Sequence, residues 1–531
     1  MVSRNKTQYG LMPPVYDDSL HERRCLEQLR SKEKDLEKYI FLSGLKQQDP
    51  TMFYRLCVKH MAEITPLIYT PTVGDACQQW SHIWQRPEGL YISIKDKGRI
   101  RSVLQNWPRL DEARISVVTD GSRILGLGDL GVNGMGISVG KLSLYVTAAG
   151  IRPESTIPIC LDLGTDTQKH LDDPLYLGLR QHRVPEEEMS EFMNELMCEM
   201  SHVFPKLLVQ FEDFSTDHAF RYLARYRNKY PVFNDDIQGT GAVILGGFLN
   251  AAKLSSAASG QPLTSHKILF FGAGSAGVGV AMQLMSFFTL QGLSEQEARE
   301  RIWLVDSKGL VYDARGPLPE HKKVFSRKDY TGPPITSLLD IIKYVKPTAL
   351  VGLSTIANAF TSDVISTMAE LNPRPIIFPL SNPVRMSECS FEDAINYSNS
   401  TVLFASGSPF SEVQYTGQTM HPGQGNNMYI FPGLGLGAIL ARATSVTDSM
   451  VEASSWGLAD SLTPEERKLG LLYPDISRIR EISAFIAKEV IRAAQKAGVD
   501  GSTKLRTMND SDLLLFVTNK MWNPQVYDTR L

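Results

Sequence analysis

The sequence predicts an α/β protein in three parts: a helical N-terminal domain, a middle α/β domain, and a second, doubly wound α/β domain. Three observations carry this reading. Up to about residue 90, apolar residues such as Leu26, Leu29, Leu36, Tyr39 and Ile40 recur at helical spacing among charged ones. From Leu90 onward, short β-branched runs alternate with helix-like stretches, as in a mainly parallel sheet covered by helices. Finally, the turn Gly272-Ala273-Gly274-Ser275-Ala276-Gly277 follows a buried-strand pattern and opens a helix, which marks a Rossmann-type nucleotide-binding domain.

Taken in order, residues 1–90 form the helical domain. Residues 91–238, joined by 427–500, form the α/β substrate domain, with strands at Tyr91–Ile94, Ile115–Val118 and Ile157–Leu161 and a helix from Glu186 to Met200. The small-residue stretch from Gly239 to Ala258 reads as a helix that opens the nucleotide-binding domain, 239–426. Its strands are expected at Lys267–Phe271, Ile302–Val305, Ala349–Leu353, Pro375–Phe378 and Val402–Ala405, each bounded by turn residues. An amphipathic helix spans Ile479–Ala497, and 501–531 is a polar tail suited to an interface.

Bulk properties narrow the function. A chain of 531 residues exceeds one core. Its net charge of −3, without a Lys/Arg block, gives no electrostatic footprint for nucleic acid or an anionic membrane. Cys25, Cys57, Cys77, Cys160, Cys198 and Cys389 show no CxxC spacing, so neither a zinc cluster nor a disulfide framework is indicated. The opening Met1–Lys6 lacks a secretory h-region, and no apolar run approaches membrane-spanning length. The expected location is cytoplasmic, with an organelle left open, and the expected partners are small molecules or copies of the chain itself.

Two acidic pairs close apolar runs: Leu207-Leu208-Val209-Gln210-Phe211-Glu212-Asp213 and Val232-Phe233-Asn234-Asp235-Asp236. One such pair alone is usually a solvated corner. Two pairs argue for a hard cation, Mg²⁺ or Mn²⁺, because clustered carboxylates repel one another unless a cation is gained.

Two GxGxxG strings compete for the dinucleotide. Gly272 follows the strand-like Lys267–Phe271 and precedes the helix-like Ser275–Phe288, which places Gly272, Gly274, Ser275, Ala276 and Gly277 at a pyrophosphate. Gly126-Leu127-Gly128-Asp129-Leu130-Gly131 lies in a stretch, Gly126–Gly140, too glycine-rich for a good helix, and reads as a structural or substrate loop. The next strand ends in Asp306-Ser307. An Asp there favours NAD, whereas Ser307 and the basic pair Lys322-Lys323 suit the 2′-phosphate of NADP.

Ile68-Tyr69-Thr70-Pro71-Thr72-Val73-Gly74 and Asp120–Gly131 resemble the malic enzymes. So do Gly140-Lys141-Leu142, Gln210–Phe214, Phe233–Thr240, Leu380-Ser381-Asn382-Pro383, Phe404–Phe410 and Pro422–Asn427. The resemblance runs in order through nearly the whole chain and loosens beyond about 500. It implies oxidative decarboxylation of L-malate to pyruvate and CO₂ with NADP, or with NAD as the alternative, and a divalent cation. By resemblance, Glu212, Asp213 and Asp236 bind the metal. Lys141 is the general base, paired with Asp235, and needs a depressed pKa, which burial beside a metal and other cations would provide. Tyr69 is the acid that protonates enolpyruvate, Arg123 grips a substrate carboxylate, and Asn382 and Asn426 complete the pocket on closure of the cleft. Hydride transfer precedes decarboxylation. Family members commonly form a homodimer or a homotetramer, a dimer of dimers.

Two rival readings stand beside this one. A metal-independent amino-acid dehydrogenase would need no acidic cluster. A non-catalytic nucleotide-binding protein would be expected to have lost a catalytic position, and none is lost in the matching motifs.

Overall fold

The computed structural model describes residues 20–382 and 384–524, with the backbone but not the side chain of Ser275. Met1–Lys6, Pro383 and the end of the tail lie outside the described residues. Five helices, His21–Arg30, Asp35–Gln48, Pro50–Lys59, Met61–Ile68 and Thr72–Gln78, build the N-terminal layer. Asp49 caps the third by accepting from Met52 N at 2.9 Å, with Pro50 in its first turn, where the missing N–H costs nothing.

The middle domain holds a five-stranded parallel sheet in the order β1-β3-β2-β4-β5, comprising β1 Leu90–Ser93, β2 Ile115–Thr119, β3 Thr156–Asp162, β4 Leu208–Phe211 and β5 Val232–Asn234. The second sheet is made of β6 Ile268–Phe271, β7 Ile302–Asp306, β8 Gly309–Leu310, β9 Ala349–Gly352, β10 Ile376–Pro379, β11 Leu403–Ser406 and β14 Gly423–Gln424. A separate hairpin, β12 Val413–Tyr415 with β13 Gln418–Met420, precedes β14. The second sheet's order is β14-β11-β10-β9-β6-β7-β8, parallel except for the short β8. The connections reverse direction between β6 and β9, so the doubly wound expectation holds and the crevice for a ligand opens there.

Strand periodicity divides the core. Ile115 and Val117 face one apolar cluster and Val118 another; Ile268 and Phe270 join the first cluster, whereas Leu269 faces a third. The first cluster is the shared interior. It unites the N-terminal helices, one face of each sheet, and the C-terminal helices Phe431–Ala441, Asp448–Asp460 and Ile479–Ala497. The segment after 500 is not a bare tail: its helix Asp510–Lys520 packs on Ile479–Ala497, and Trp522 N donates to Gly150 O at 2.6 Å.

Two sequence expectations change. Among the described residues, one helix, Asp235–Ser259, is long and apolar enough to cross a membrane, but 72% of its apolar window is buried in the fold, as befits a core helix. It also runs unbroken through position 239. The stretch Gly126–Gly140, expected to make a poor helix, nevertheless enters one, a buried helix that starts at Met135 and runs to Ala149. Tertiary packing overrides the poor propensity: a Cβ at Gly136 would lie 2.7 Å from Cys77 Sγ and 3.1 Å from Trp80 Cε3.

Gly136→Ala sets these effects against each other. Helix propensity favours alanine by about 1 kcal/mol, and overpacking opposes it by roughly 1–3 kcal/mol. The substitution is expected to lower the thermal unfolding midpoint; a raised midpoint would show that Cys77 and Trp80 yield freely.

Candidate active site

The first sheet delivers acidic residues to one end. Glu212 and Asp213 follow β4, and Asp235 and Asp236 follow β5, at the carboxyl ends of parallel strands where α/β ligand sites form. The chain leaves β5 through a wide π turn, Asp235–Gly239, held by Asn234 Oδ1 accepting from Ile237 N at 3.0 Å. In that turn Asp235 engages Lys141, while Asp236 Oδ2 accepts from Asp213 N at 2.8 Å. Asp213 itself sits in the left-handed region, at φ 54°, a conformation sparsely used by residues other than glycine.

Lys141 comes from the Met135–Ala149 helix and is 1% exposed. Its Nζ donates to Asp235 Oδ2 and lies 2.9 Å from Glu212 Oε1. It also lies 5.3 Å from the ring centroid of buried Tyr69 and 4.6 Å from that of Phe431. The depressed pKa expected for Lys141 is not what these contacts produce. Burial pulls it down, but Asp235 and Glu212 outweigh burial and hold the ammonium well above its usual value. Burial also keeps the Tyr69 phenol in its protonated, proton-donating form by raising its pKa.

Carboxylate oxygens of Glu212, Asp213 and Asp236 lie within 4.8 Å of one another. Burial, reinforced by the neighbouring carboxylates, raises the pKa of all three. Asp213 Oδ2 is buried without a hydrogen-bond partner, as is Asp235 Oδ1. An all-oxygen donor set with orphaned buried oxygens fits Mg²⁺ or Mn²⁺. A second grouping, Cys198, Glu199 and His202, lies on a helix surface where Arg101 already binds Glu199.

Supporting residues extend the cluster. Gln210 Nε2 donates to Glu212 Oε2 at 2.8 Å, and Tyr145 OH, one turn beyond Lys141, donates to Gln210 Oε1. Asn427 Nδ2 donates to Asp235 Oδ2 at 3.0 Å and to Thr240 Oγ1 at 3.0 Å. Neither Tyr145 nor Asn427 was among the expected site residues. Asn427 adjoins the expected Asn426, whose own side chain instead caps Met428 N at 2.9 Å. Arg123 is exposed beside the trio, donating from N to Asp213 O at 3.2 Å and from Nη1 to Thr216 Oγ1 at 2.8 Å. Asn382, also exposed, accepts from Ser408 Oγ. Neither Asn382 nor Asn426 makes a hydrogen bond to the Lys141 cluster. Leu125, just before the Gly126–Gly131 loop, reaches the acidic site by donating from N to Asp213 Oδ1 at 3.1 Å, and within the loop Asp129 is anchored by Arg183.

The second sheet supplies the dinucleotide crevice. Gly272 has φ 116°, and a Cβ there would lie 2.4 Å from Leu353 O, so the turn after β6 demands glycine. Gly274 and then Ser275, Ala276 and Gly277 begin the helix Ser275–Leu290, whose N-terminus faces this crevice. Asp306 ends β7 but is already engaged. Arg315 binds it through Nη1 at 2.8 Å and Nη2 at 2.5 Å, and Lys322 Nζ lies 2.7 Å from Oδ2. Although burial opposes ionisation, these cations hold the Asp306 carboxyl well below its usual pKa. Lys322 and Arg315, the latter not singled out in the sequence, therefore sit together at Asp306. Lys323 does not join, since it pairs with Glu320 at the surface. Ser307 is exposed beside Asp306.

Tyr145→Phe tests the support of Glu212. Loss of the phenol leaves Gln210 free to turn, and Mn²⁺ affinity, measured by calorimetric titration, is expected to fall about tenfold. Unchanged affinity would mean that Gln210 holds its orientation alone.

Family comparisons agree with this architecture. Residues 46–227 match the family description "Malic enzyme, N-terminal domain", and residues 237–495 match "Malic enzyme, NAD binding domain". The chain is 48% identical to the NADP-dependent malic enzyme of Dictyostelium discoideum over 92% of its length and 89% of the relative's. It is 44% identical to NADP-dependent malic enzyme 1 of Arabidopsis thaliana, over 97% of this chain and 87% of that one. It is 45% identical to NADP-dependent malic enzyme 4, chloroplastic, of the same plant, over 92% and 75%. Among solved structures, Entamoeba histolytica malic enzyme superposes with a TM-score of 0.59 at 20% identity, covering 98% of this chain and 92% of that one. Malic enzyme from Pyrococcus horikoshii gives 0.56 at 23%, covering 86% and 88%. With both domain descriptions matched and close relatives spanning nearly its full length, the chain belongs to the malic enzyme family.

Proposed function

We propose that the chain catalyses the oxidative decarboxylation of L-malate to pyruvate and CO₂, with NADP as hydride acceptor and Mg²⁺ or Mn²⁺ as the required cation. The observation that carries this reading is the buried Lys141 ammonium, bound to Asp235 and Glu212 beside Tyr69 and the carboxylate trio. Glu212, Asp213 and Asp236 would hold the cation, and the Gly272–Gly277 turn would hold the dinucleotide. When bound, the dinucleotide takes the hydride and the cation polarises the oxygens of the reacting carbon.

The chain's own residues handle protons and position. Lys141 Nζ takes the hydroxyl proton, and Asp235, hydrogen-bonded to it, accepts the proton Lys141 must first give up. Asn427 fixes Asp235 by donating to the same Oδ2. Tyr69, kept protonated by burial, is the acid for the enolpyruvate carbon, with the Lys141 ammonium at its ring face available to return its proton. Arg123, at the exposed mouth, offers its guanidinium to a substrate carboxylate, and Asn382 and Asn426 line the approach from the second domain.

The NADP reading rests on Asp306. With both its oxygens bound by Arg315 and Lys322, this residue presents cations rather than a free acceptor, which suits a 2′-phosphate. We also propose a cytoplasmic homodimer or homotetramer. Six free cysteines, five of them buried, support a reducing compartment.

The test is reduced-nicotinamide formation from L-malate and Mn²⁺, with NADP and NAD supplied separately and pyruvate assayed at the end. Pyruvate matching reduced cofactor is expected, with NADP preferred, and Arg315→Ala is expected to reduce kcat/KM for NADP about tenfold or more while sparing NAD. Preference for NAD would overturn the 2′-phosphate assignment, and no turnover with either would overturn the proposed activity.

A further inference from the structure

Glu388 is a buried carboxyl with 0% exposure, and among the described residues no lysine or arginine pairs with it. It lies at the dinucleotide crevice, between the loops that follow β9 and β10. Its Oε1 accepts from Ser354 N at 2.9 Å, Ser354 Oγ at 2.8 Å and Ser381 Oγ at 2.5 Å, while Oε2 accepts from Ser381 N at 3.4 Å. Burying a carboxyl away from any cation is expensive unless donors converge on it. Four do so here, from two residues on two different loops.

Those two loops border the nucleotide turn. Leu353 O and Ser354 N lie against Gly272, where a Cβ would come within 2.4 Å and 2.8 Å of them. Ser381 Oγ also accepts from Thr355 N at 2.9 Å, which ties the second loop to the first, and Ser381 is followed directly by Asn382. The backbone adds further ties: Asn358 N donates to Ser387 O at 3.0 Å and Phe360 N to Glu388 O at 2.8 Å. We propose that Glu388 is a positioning residue for the dinucleotide: by gathering Ser354 and Ser381 it fixes both walls of the crevice beside Gly272 and sets the backbone that presents Asn382. It touches neither substrate nor cation, and its effect passes through the two serines. This inference rests on the proposed binding of NADP at the Gly272 turn.

A glutamine at 388 keeps the size of the side chain but replaces one acceptor oxygen with a donor. Either an amide then faces Ser381 N, donor against donor, or three donors lose their common oxygen. The experiment measures NADPH binding by nucleotide fluorescence and Mn²⁺ binding by calorimetry, on full-length wild type, Glu388→Gln and Ser381→Ala, with thermal unfolding of each. Both variants are expected to weaken NADPH binding about tenfold while Mn²⁺ affinity stays within twofold, because the acidic site is built on the other sheet. Ser381→Ala, which leaves the carboxyl itself in place, keeps the test decisive if Glu388→Gln does not fold. NADPH affinity unchanged in a folded variant, or NADPH and Mn²⁺ affinities falling together, would overturn the positioning role. Wild-type protein that binds no NADPH would instead overturn the cofactor reading on which it rests.

Discussion

The arrangement depends on one buried ion-pair cluster. Lys141 brings a single ammonium among four carboxyls, those of Glu212, Asp213, Asp235 and Asp236, and it binds two of them directly. Removing such charges from water costs several kcal/mol per ion before any pairing is counted, and only close geometry offsets it. Lys141 offsets part of that penalty. Burial first, and repulsion among the neighbouring carboxylates after it, raises the pKa of Glu212, Asp213 and Asp236, and a divalent cation held by their oxygens would oppose both effects. The cluster is thus costly as a structural element and well matched to a metal-assisted proton transfer.

Much of the surrounding architecture can be understood as support for that cluster. Parallel strands release their acidic pairs at one edge, the π turn turns consecutive aspartates to different partners, and the glycine-punctuated Met135–Ala149 helix lies close enough to the N-terminal layer for Lys141 to sit under Tyr69. Asn427, which the chain reaches only after completing the second sheet, holds Asp235 Oδ2, so the Lys141–Asp235 pair is fixed by a residue distant in sequence. The second sheet applies a similar principle at Glu388, where one carboxyl gathers two loops with hydroxyl and amide donors and, among the described residues, no cation.

The features legible in the sequence were those written locally. Strand patterns ending in acidic pairs located Glu212, Asp213, Asp235 and Asp236, and strand–glycine–helix context separated the Gly272 turn from the Gly126 string. Features that depend on partners distant in sequence were not legible. Arg315 lies nine residues past Asp306, and only the turn through β8 brings it back. Lys322 and Lys323 are indistinguishable as letters, yet the backbone sends one to Asp306 and the other to Glu320. Tyr145 reads as a core aromatic until Gln210 is placed opposite it. The balance at Lys141, where burial and the paired carboxylates act in opposite senses, also needs coordinates.

The central claim is that Lys141 and Asp235 act as one proton-handling unit rather than as two separate contributors. A double-mutant cycle on kcat for malate oxidation at saturating Mn²⁺ and NADP, using Lys141→Ala, Asp235→Ala and the pair together, measures this directly. If they are one unit, the double variant is no slower than the slower single variant. Losses that multiply in the double variant would show independent roles and contradict the account.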